Sequence, residues 1–384
     1  MFWPVTLLVS LALMGVIYLW STSTFLALRH RRRTVAIALV SLVVAQAGTR
    51  WAVVWWHIGN SLQTALVVVV MTLGMAAVPI AVMHVVGWLV ERAAKKLRRG
   101  PAAPEGTMTR RQVVEAVGGV AMIGATGATL GWGAFRGRHE YELVEVPVRI
   151  AALPRALDGY VIAQVSDLHA GNYVGERDLD AGFERVRAAK PDLLVVTGDM
   201  IDFDAAFAPL VARKLADLAP RDGVFACLGN HDYYAGWEAV VASLRVAGIT
   251  VLVNQGTVVR PGDGGGFALL GVEDRWAGRY GRPGPRLDEA VAMVPGDRPR
   301  VLLSHQPVTV DRWPGKVALQ LSGHTHGGQI NPGFRPADLF MSYVAGLYRV
   351  GGTALYVNRG FGTVGPPSRV GAPPEVTRIV LVAA

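Results

Sequence analysis

Residues 160–169 read YVIAQVSDLH, an apolar run that closes on Asp167 and His169. A run this short, bounded by polar residues, fits a strand buried on both faces. The same design recurs along the chain. Residues 191–202 read PDLLVVTGDMID, 223–232 GVFACLGNHD, 300–307 RVLLSHQP and 317–328 VALQLSGHTHGG. Segments with helical spacing separate the first of these: 176–190 (ERDLDAGFERVRAAK), 205–218 (AAFAPLVARKLADL) and 237–248 (WEAVVASLRVAG). Strands alternating with helices predict a parallel or mixed sheet covered by helices. Beyond residue 250, strand-like runs such as FALLGVED (267–274), TALYVNRG (353–360) and VTRIVLV (376–382) dominate between Gly/Pro turns. That half predicts a second packed sheet rather than one wide one. The expectation is one α/β domain over 141–384, a two-sheet α/β sandwich opened by the alternating strand YELVEVPVRI (141–150). A segment of that length can bury a sizeable core.

Each apolar run ends in a polar cluster, and the loops at strand ends are where an α/β sheet gathers a site. Five of the nine histidines fall in these clusters: His169, His231, His305, His324 and His326. The first cluster is Asp167-Leu168-His169, whose two side chains point the same way if the chain there is extended. The second runs from Gly198 and Asp199 to Asp202. The third is Gly229-Asn230-His231-Asp232, the fourth Ser304-His305, and the fifth Gly323-His324-Thr325-His326-Gly327-Gly328. Together they offer carboxylate, imidazole and amide donors and no thiolate, a set that suits Mn, Fe or Zn. Seven such ligands exceed what one four-coordinate metal needs, whereas two metals sharing a carboxylate use them all.

The order D-x-H, G-D-x-x-D, G-N-H-D, S-H, G-H-T-H over about 160–384 resembles the calcineurin-like metallophosphoesterase superfamily. Within it, GHTHGGQI and the later LYVNRGFGTVGPPSRVGAPPEVTRIVLV are similar to the membrane-anchored bacterial phosphodiesterases often compared with UDP-2,3-diacylglucosamine pyrophosphatases. The resemblance implies two divalent metal ions (Mn, Fe or Zn). It gives Asp167, His169 and His326 to one ion, Asn230, His305 and His324 to the other, and Asp199 to both. It implies that His231 donates to the leaving-group oxygen while Asp202 orients it, and that Asp232 supports the ligands from behind. The implied reaction is phosphoester hydrolysis by a hydroxide that two metals activate, on a diester or related bond, with a lipid phosphate among the expected substrates. No protein nucleophile is then required, which fits the lack of a P-loop and of a Ser or Cys elbow in the sequence. Two rivals stand beside this reading: a UDP-2,3-diacylglucosamine-type pyrophosphatase, and a membrane binding module that kept the fold but lost catalysis. The second predicts missing ligands, and here all seven positions and His231 are filled.

The first third of the chain is of another kind. Of 384 residues, 51% are hydrophobic and only 17% charged, against about a quarter charged in soluble domains. The net charge of +9 is unevenly placed: residues 1–135 hold 12 Lys+Arg against 3 Glu, and the remaining 26 basic and 26 acidic residues cancel. The excess sits among apolar stretches, which points to a membrane and not to nucleic acid. Spans are expected at about 2–28, 34–56, 62–90 and 112–135, making 1–135 an α-helical membrane domain of about four spans. Trp51, Trp55 and Trp56 resemble an interfacial belt beside Arg50, and Gly127 and Gly131 form a GxxxG that permits close helix packing. Thr109 to Val114 (TRRQVV) resembles a twin-arginine signal, but with no clean cleavage site after it the helix reads as a retained anchor.

The smaller signals have plain readings. Cys227, the sole cysteine, excludes a disulfide scaffold and reads as a buried small hydrophobe; His57 and His84 read as packing or interfacial residues. His30 and His139 read as solvated, and Arg275 as a surface ion pair with phosphate contact as the sharper alternative. Residues 337–350 (ADLFMSYVAGLYRV) put Phe340, Met341, Tyr343, Leu347 and Tyr348 close in sequence to His324 and His326. They read either as a hairpin packed into the sandwich or as a loop that enters the bilayer.

Loop charges orient the spans. The loop after the first span holds four Arg, the 91–111 loop seven Lys+Arg, and the 57–61 connection none. Positive-inside then places both basic loops in the cytoplasm and everything after 135 on the extracytoplasmic side of a multi-pass cell-membrane protein. A periplasmic-type reporter fused after Ile150 is therefore expected to be active and a cytoplasmic one silent; the reverse pattern would overturn this topology and favour the pyrophosphatase rival.

Overall fold

The computed structural model describes residues 3–56, 61–97, 108–260, 265–294 and 296–384. They form two compact units, Met1–Ala134 and Phe135–Ala384. The side chains of Arg50, Trp51, Trp55 and Trp56, the 57–60 connection and residues 98–107 of the basic 91–111 loop lie outside the described residues. So do the belt and much of the charge pattern read from them.

The first unit is helical: α1 (Trp3–Thr24), α2 (Leu26–Arg29), α3 (Arg32–Trp56), α4 (Ser61–Leu97) and α5 (Arg110–Phe135). Among the described residues, three stretches are long and apolar enough to cross a membrane: Leu7–Thr24, Leu62–Ala93 and Arg110–His139. Helix α3 lies where a further span is expected. Ile17 and Trp20 of α1 pack on the fully buried Ala76, Ala77 and Ile80 of α4, where the two alanines let the backbones approach. The close approach of α5 uses one glycine of the expected pair and two outside it. A methyl group at Gly119 would strike the Trp20 ring, one at Gly118 the Met83 sulfur, and one at Gly127 would lie 3.2 Å from Thr72 Cγ2, whereas Gly131 faces open space.

An ionic cluster ties this unit together. Buried Glu115 accepts from Arg111 Nε at 2.6 Å and faces His84 Nδ1 at 3.0 Å, while Arg111 reaches Glu91 at 2.8 Å. Trp20 Nε1 donates to the Glu115 carbonyl at 3.1 Å. Arg111 of the twin-arginine segment is thus a structural partner inside the helical unit.

The second unit is the two-sheet α/β sandwich. Its strands are β1 (Glu142–Ile150), β2 (Val161–Val165), β3 (Leu193–Thr197), β4 (Val224–Cys227), β5 (Thr250–Val251), β6 (Gln255–Val259), β7 (Phe267–Gly271), β8 (Arg300–Leu303), β9 (Leu319–Ser322), β10 (Gly346–Val350), β11 (Thr353–Val357) and β12 (Glu375–Ala383). One six-stranded sheet has the order β1-β12-β2-β3-β4-β5 and the other β10-β11-β9-β8-β7-β6. β2 to β5 run parallel, as do β7, β8, β9 and β11; the antiparallel pairings are β12 on β2, β6 on β7 and β10 on β11.

The pleat explains why these strands are apolar throughout. Ile162, Leu193 and Val195 point between the sheets, against Leu269, Val301, Leu303 and Leu321. Their neighbours Ala163, Val165, Leu194 and Val196 point the other way, onto the helices α6 (Glu176–Ala189), α7 (Ala208–Ala216) and α8 (Asn230–Val246). Short α9 (Leu287–Ala292) covers Leu270 and Leu302 on the outer face of the second sheet. Both faces of each central strand are therefore buried, as parallel sheets require.

One boundary differs from the sequence reading. GVFACLGNHD does not continue as strand: β4 stops at Cys227 and α8 begins at Asn230. The cause is local. Asp232, at the third helical position, accepts from the Gly229 N–H at 2.9 Å and so closes a cap on the first turn.

Glu115→Ala should leave Arg111 and His84 without their shared carboxylate. The expected cost is about 1–3 kcal/mol, the penalty for orphaning a buried polar partner. A lower thermal midpoint of the detergent-solubilised protein checks this; an unchanged midpoint would mean that the cluster does not hold the helices.

Candidate metal centre

The loops after β2, β3, β4, β8 and β9 converge at one end of the sandwich, and each brings one of the polar clusters. Asp167 and His169 come together by a different route from the one expected. Both have left-handed backbone, φ 54° and 46°, so it is a turn and not an extended strand that gathers them. Asp199, His324 and His326 are left-handed too, at 52°, 73° and 52°. Five non-glycine residues in this region are uncommon, and such conformations concentrate at functional sites. Gly198 and Gly229 are required where two loops touch: a methyl group on Gly198 would lie 2.6 Å from the Gly229 nitrogen, and one on Gly229 would strike Asp199.

Three groups of buried or nearly buried side chains converge closely enough to hold an ion: Asp167 with His169 and His326; Asp199 with His305 and His324; and His169 with Asp199 and His231. In the first, His326 Nε2 lies 3.4 Å from Asp167 Oδ1 and 3.1 Å from His169 Nε2. In the second, His305 Nε2 lies 3.1 Å from Asp199 Oδ2 and 3.1 Å from His324 Nδ1. Asp199 Oδ2 is also 3.6 Å from His169 Nε2, which makes it the carboxylate common to both sides. Asn230 points its amide nitrogen at Tyr234, and its oxygen is buried without a hydrogen-bond partner among the described residues.

The donor chemistry fits cations. His305 Nδ1 is 2.8 Å from the Thr197 carbonyl, to which it donates. In the neutral ring Nε2 then carries only a lone pair, aimed at the Asp199 oxygen. Two acceptors at hydrogen-bond distance repel unless a positive charge lies between them. The orphaned Asn230 oxygen is a further acceptor in want of a positive partner. Burial, together with the charge that His305 carries when protonated, pushes His324 down to about 3, and burial with His169 pushes His326 well below its ordinary value, so both rings are neutral and can offer a lone pair.

His231 is differently placed. Its Nδ1 lies 2.8 Å from the Asp202 carbonyl and 3.2 Å from the Asp202 carboxylate. Asp202 does more than was read from the sequence, for its carboxylate also lies 3.5 Å from His169 Nδ1 and so faces two rings. Phe203 and Tyr234 flank His231 with ring centroids at 5.0 and 4.9 Å. Asp232 sits behind, accepting from the backbone N–H groups of Gly229, Asp199 and Met200 at 2.9 Å and of Ile201 at 3.2 Å. Arg275 is exposed.

Sequence reasoning missed Arg369. Its guanidinium is fully buried, lies 3.2 Å from His326 Nδ1, and donates to the carbonyls of Gly362, Arg359 and Ala372. It braces the last turn of the site from behind. The only signal was one charge inside an otherwise Gly/Pro-rich stretch.

Cys227 is buried, and burial pushes its thiol well above the ordinary value. That leaves it inert as a nucleophile.

A family model described as calcineurin-like phosphoesterase matches residues 160–328. The chain is 32% identical over 284 residues to the uncharacterized metallophosphoesterase YkuE of Bacillus subtilis, covering 71% of this chain and 98% of that one. It is 34% identical over 237 residues to phosphodiesterase YaeI of Escherichia coli, covering 58% and 82%. It is 35% identical over 254 residues to a Bos taurus transmembrane protein with metallophosphoesterase domain, covering 63% of this chain. The chain spans just over half of that bovine protein, 56%, and nearly all of the Bacillus one.

Burial alone would lower the His231 pKa, but the hydrogen bond to Asp202 and the charges of Asp199 and Asp202 outweigh it and raise it to about 9. The fold therefore favours the charged ring. In metal-stripped protein its contribution to stability should be complete below its ordinary value of 6.5 and be lost as pH rises through about 9. Histidine-selective NMR of the stripped protein should show this titration, and Asp202→Asn should move it down. A His231 titrating near its ordinary value in both proteins would contradict the assignment.

Proposed function

The chain belongs to the calcineurin-like metallophosphoesterase family, and from that premise we propose that it is a membrane-bound phosphodiesterase with a dinuclear metal centre. The observation that carries this is the pair of buried Asp/His groups that share Asp199, with a carboxylate oxygen and ring nitrogens converging within 3.1 Å of one another. The diester preference draws support from the relative named phosphodiesterase.

Asp167, His169 and His326 would hold one divalent ion, Asn230, His305 and His324 the other, and Asp199 both; Mn, Fe and Zn all suit these donors. When bound, such ions lower the pKa of water and draw charge from phosphoryl oxygens.

The chain's own residues do the rest. His231, held through Nδ1 by Asp202, is left with Nε2 to give a proton to the departing oxygen. Asp202 fixes the ring's orientation and, facing His169 as well, couples that orientation to a ligand. Phe203 and Tyr234 enclose the ring on two sides and limit water around it. Asp232 fixes the backbone from which Asp199 and His231 both project.

We place the unit Phe135–Ala384 on the extracytoplasmic side of a four-span multi-pass protein, on the loop charges alone. A lipid phosphodiester is the substrate class this arrangement favours. The rival UDP-2,3-diacylglucosamine-type pyrophosphatase draws no support from the site itself, and a catalytically silent binding module is disfavoured by the completeness of the donor set.

Two variants of the purified protein test the roles separately. Asp199→Asn should abolish most turnover of an aryl phosphodiester with Mn²⁺ and reduce metal content at both positions. His231→Ala should cut kcat by about 10²–10⁴-fold, the usual worth of a general acid, with metal content near wild type. Full metal and normal turnover in the first would sink the dinuclear assignment. Loss of an ion in the second would make His231 a ligand.

A further inference from the structure

The segment 332–347 emerges from the GHTHGG turn, and most of its apolar side chains are in solvent. Phe340 is 87% and Leu339 74% exposed, and Phe334, Met341 and Leu347 are exposed as well. Tyr343 and Tyr348 behave otherwise, packing partly buried beside Val310, Leu355 and Val357 as a hairpin would. The expected hairpin and the expected exposed loop are therefore both present, divided between neighbouring residues.

Three features make this patch more than scattered surface hydrophobes. First, it is fixed to the metal centre. Thr325, between His324 and His326, donates its hydroxyl proton to the Val344 carbonyl at 2.5 Å. A methyl group on Gly328 would lie 3.3 Å from the Ala337 side chain, so the short helical turn Pro336–Leu339 rests directly on the ligand loop. Second, the patch carries no net charge. Arg335 and Asp338 are its only charged residues, and they pair with each other at 2.8 Å. Third, Arg349 shares the exposed face of β10 with Leu347, setting a cation at the patch's edge. Apolar side chains with a neutralised interior and a basic margin match the boundary between lipid headgroups and acyl chains.

The sequence also brings a bilayer within reach of this unit. The apolar stretch Arg110–His139 is long enough to span a membrane, and β1 starts only at Glu142. We propose that Phe334, Leu339, Phe340 and Met341 insert into the lipid interface and hold the His324–His326 loop at the membrane surface. The docking rests on exposure and charge; its consequence, hydrolysis of a phosphodiester still seated in the bilayer, rests on the phosphodiesterase reading above.

The test uses the full-length protein reconstituted in vesicles of equal phosphatidylethanolamine and phosphatidylglycerol. Cys227 is buried, so a polarity-sensitive dye can be placed on Phe340→Cys, on Leu339→Cys as a second probe of the patch, and on Val246→Cys, an exposed position outside it. At 339 and 340 we expect a blue-shifted emission, quenching by acyl-chain spin labels and protection from aqueous iodide; at 246 we expect the reverse. Iodide quenching at 339 and 340 would overturn the proposal. So would shielding from both quenchers, which means that a protein covers the patch, or equal lipid quenching at 246. Turnover of a soluble aryl phosphodiester is measured separately on wild type, so failure of the hydrolase reading and failure of docking show in different signals.

Discussion

The carboxylate of Asp232 does the work on which the centre depends. It accepts four backbone N–H groups, one from the residue before α8 and three from the turn after β3. Those two loops carry Asp199, Asn230, His231 and, a step further, Asp202. A single buried acceptor thus sets the relative position of Asp199, Asn230, His231 and Asp202, the residues proposed as shared carboxylate, amide ligand, proton donor and orienting partner. Burial and the Asp199 charge push Asp232 up to about 7, against the pull of its backbone donors. A carboxyl so placed ties its neighbours firmly only while it stays ionised. Cations held in the centre would favour that state, so that scaffold and ions would stabilise each other.

Much of this was legible in the sequence, because the signal was physical. Apolar runs too short for helices end in Asp, Asn and His; that pattern is costly unless the strand is buried and the polar end is used. Runs such as LLVVT and RVLL became β3 and β8 for that reason. What could not be read was the backbone between the strand end and the ligand. Asp167 and His169 suit an extended strand as well as a left-handed turn, and only contact between loops selects the turn. The GNHD motif was assigned to the strand it follows, because the capping role of Asp232 appears only once Gly229 is seen to start a helix.

The remaining misses share a cause: they depend on partners far away in sequence. Arg369 reaches His326 across forty-three positions, and no local pattern marks a buried guanidinium. Gly119 matters because Trp20 is there, and of the better-looking pair Gly127 meets Thr72 while Gly131 meets nothing. Asp202 was paired with one histidine on family grounds, and its second, His169, became visible only when the β2 and β3 loops were brought side by side.

The imidazoles show why such a site is not at rest without cations. His305 is locked by Thr197 with its lone pair toward Asp199, and in the bare protein a proton fills that gap: despite burial, the Asp199 charge holds the ring well above its ordinary value. Once His305 is charged, its neighbour at 3.1 Å cannot be, and His324 is driven to about 3. The cluster therefore can be neither fully protonated nor fully neutral without a penalty, and the residual strain is electrostatic. Asp199, His305 and His324 converge closely enough to hold a divalent ion, which would take the place of that proton and give the carboxylate a stronger counter-charge. Metal and proton thus compete for the same lone pairs, which makes affinity fall with acidity and makes loading a source of folding stability. Under the proposed roles, donors fixed in advance would leave the Asp202–His231 pair beside them free to be tuned for giving up a proton rather than for holding a metal.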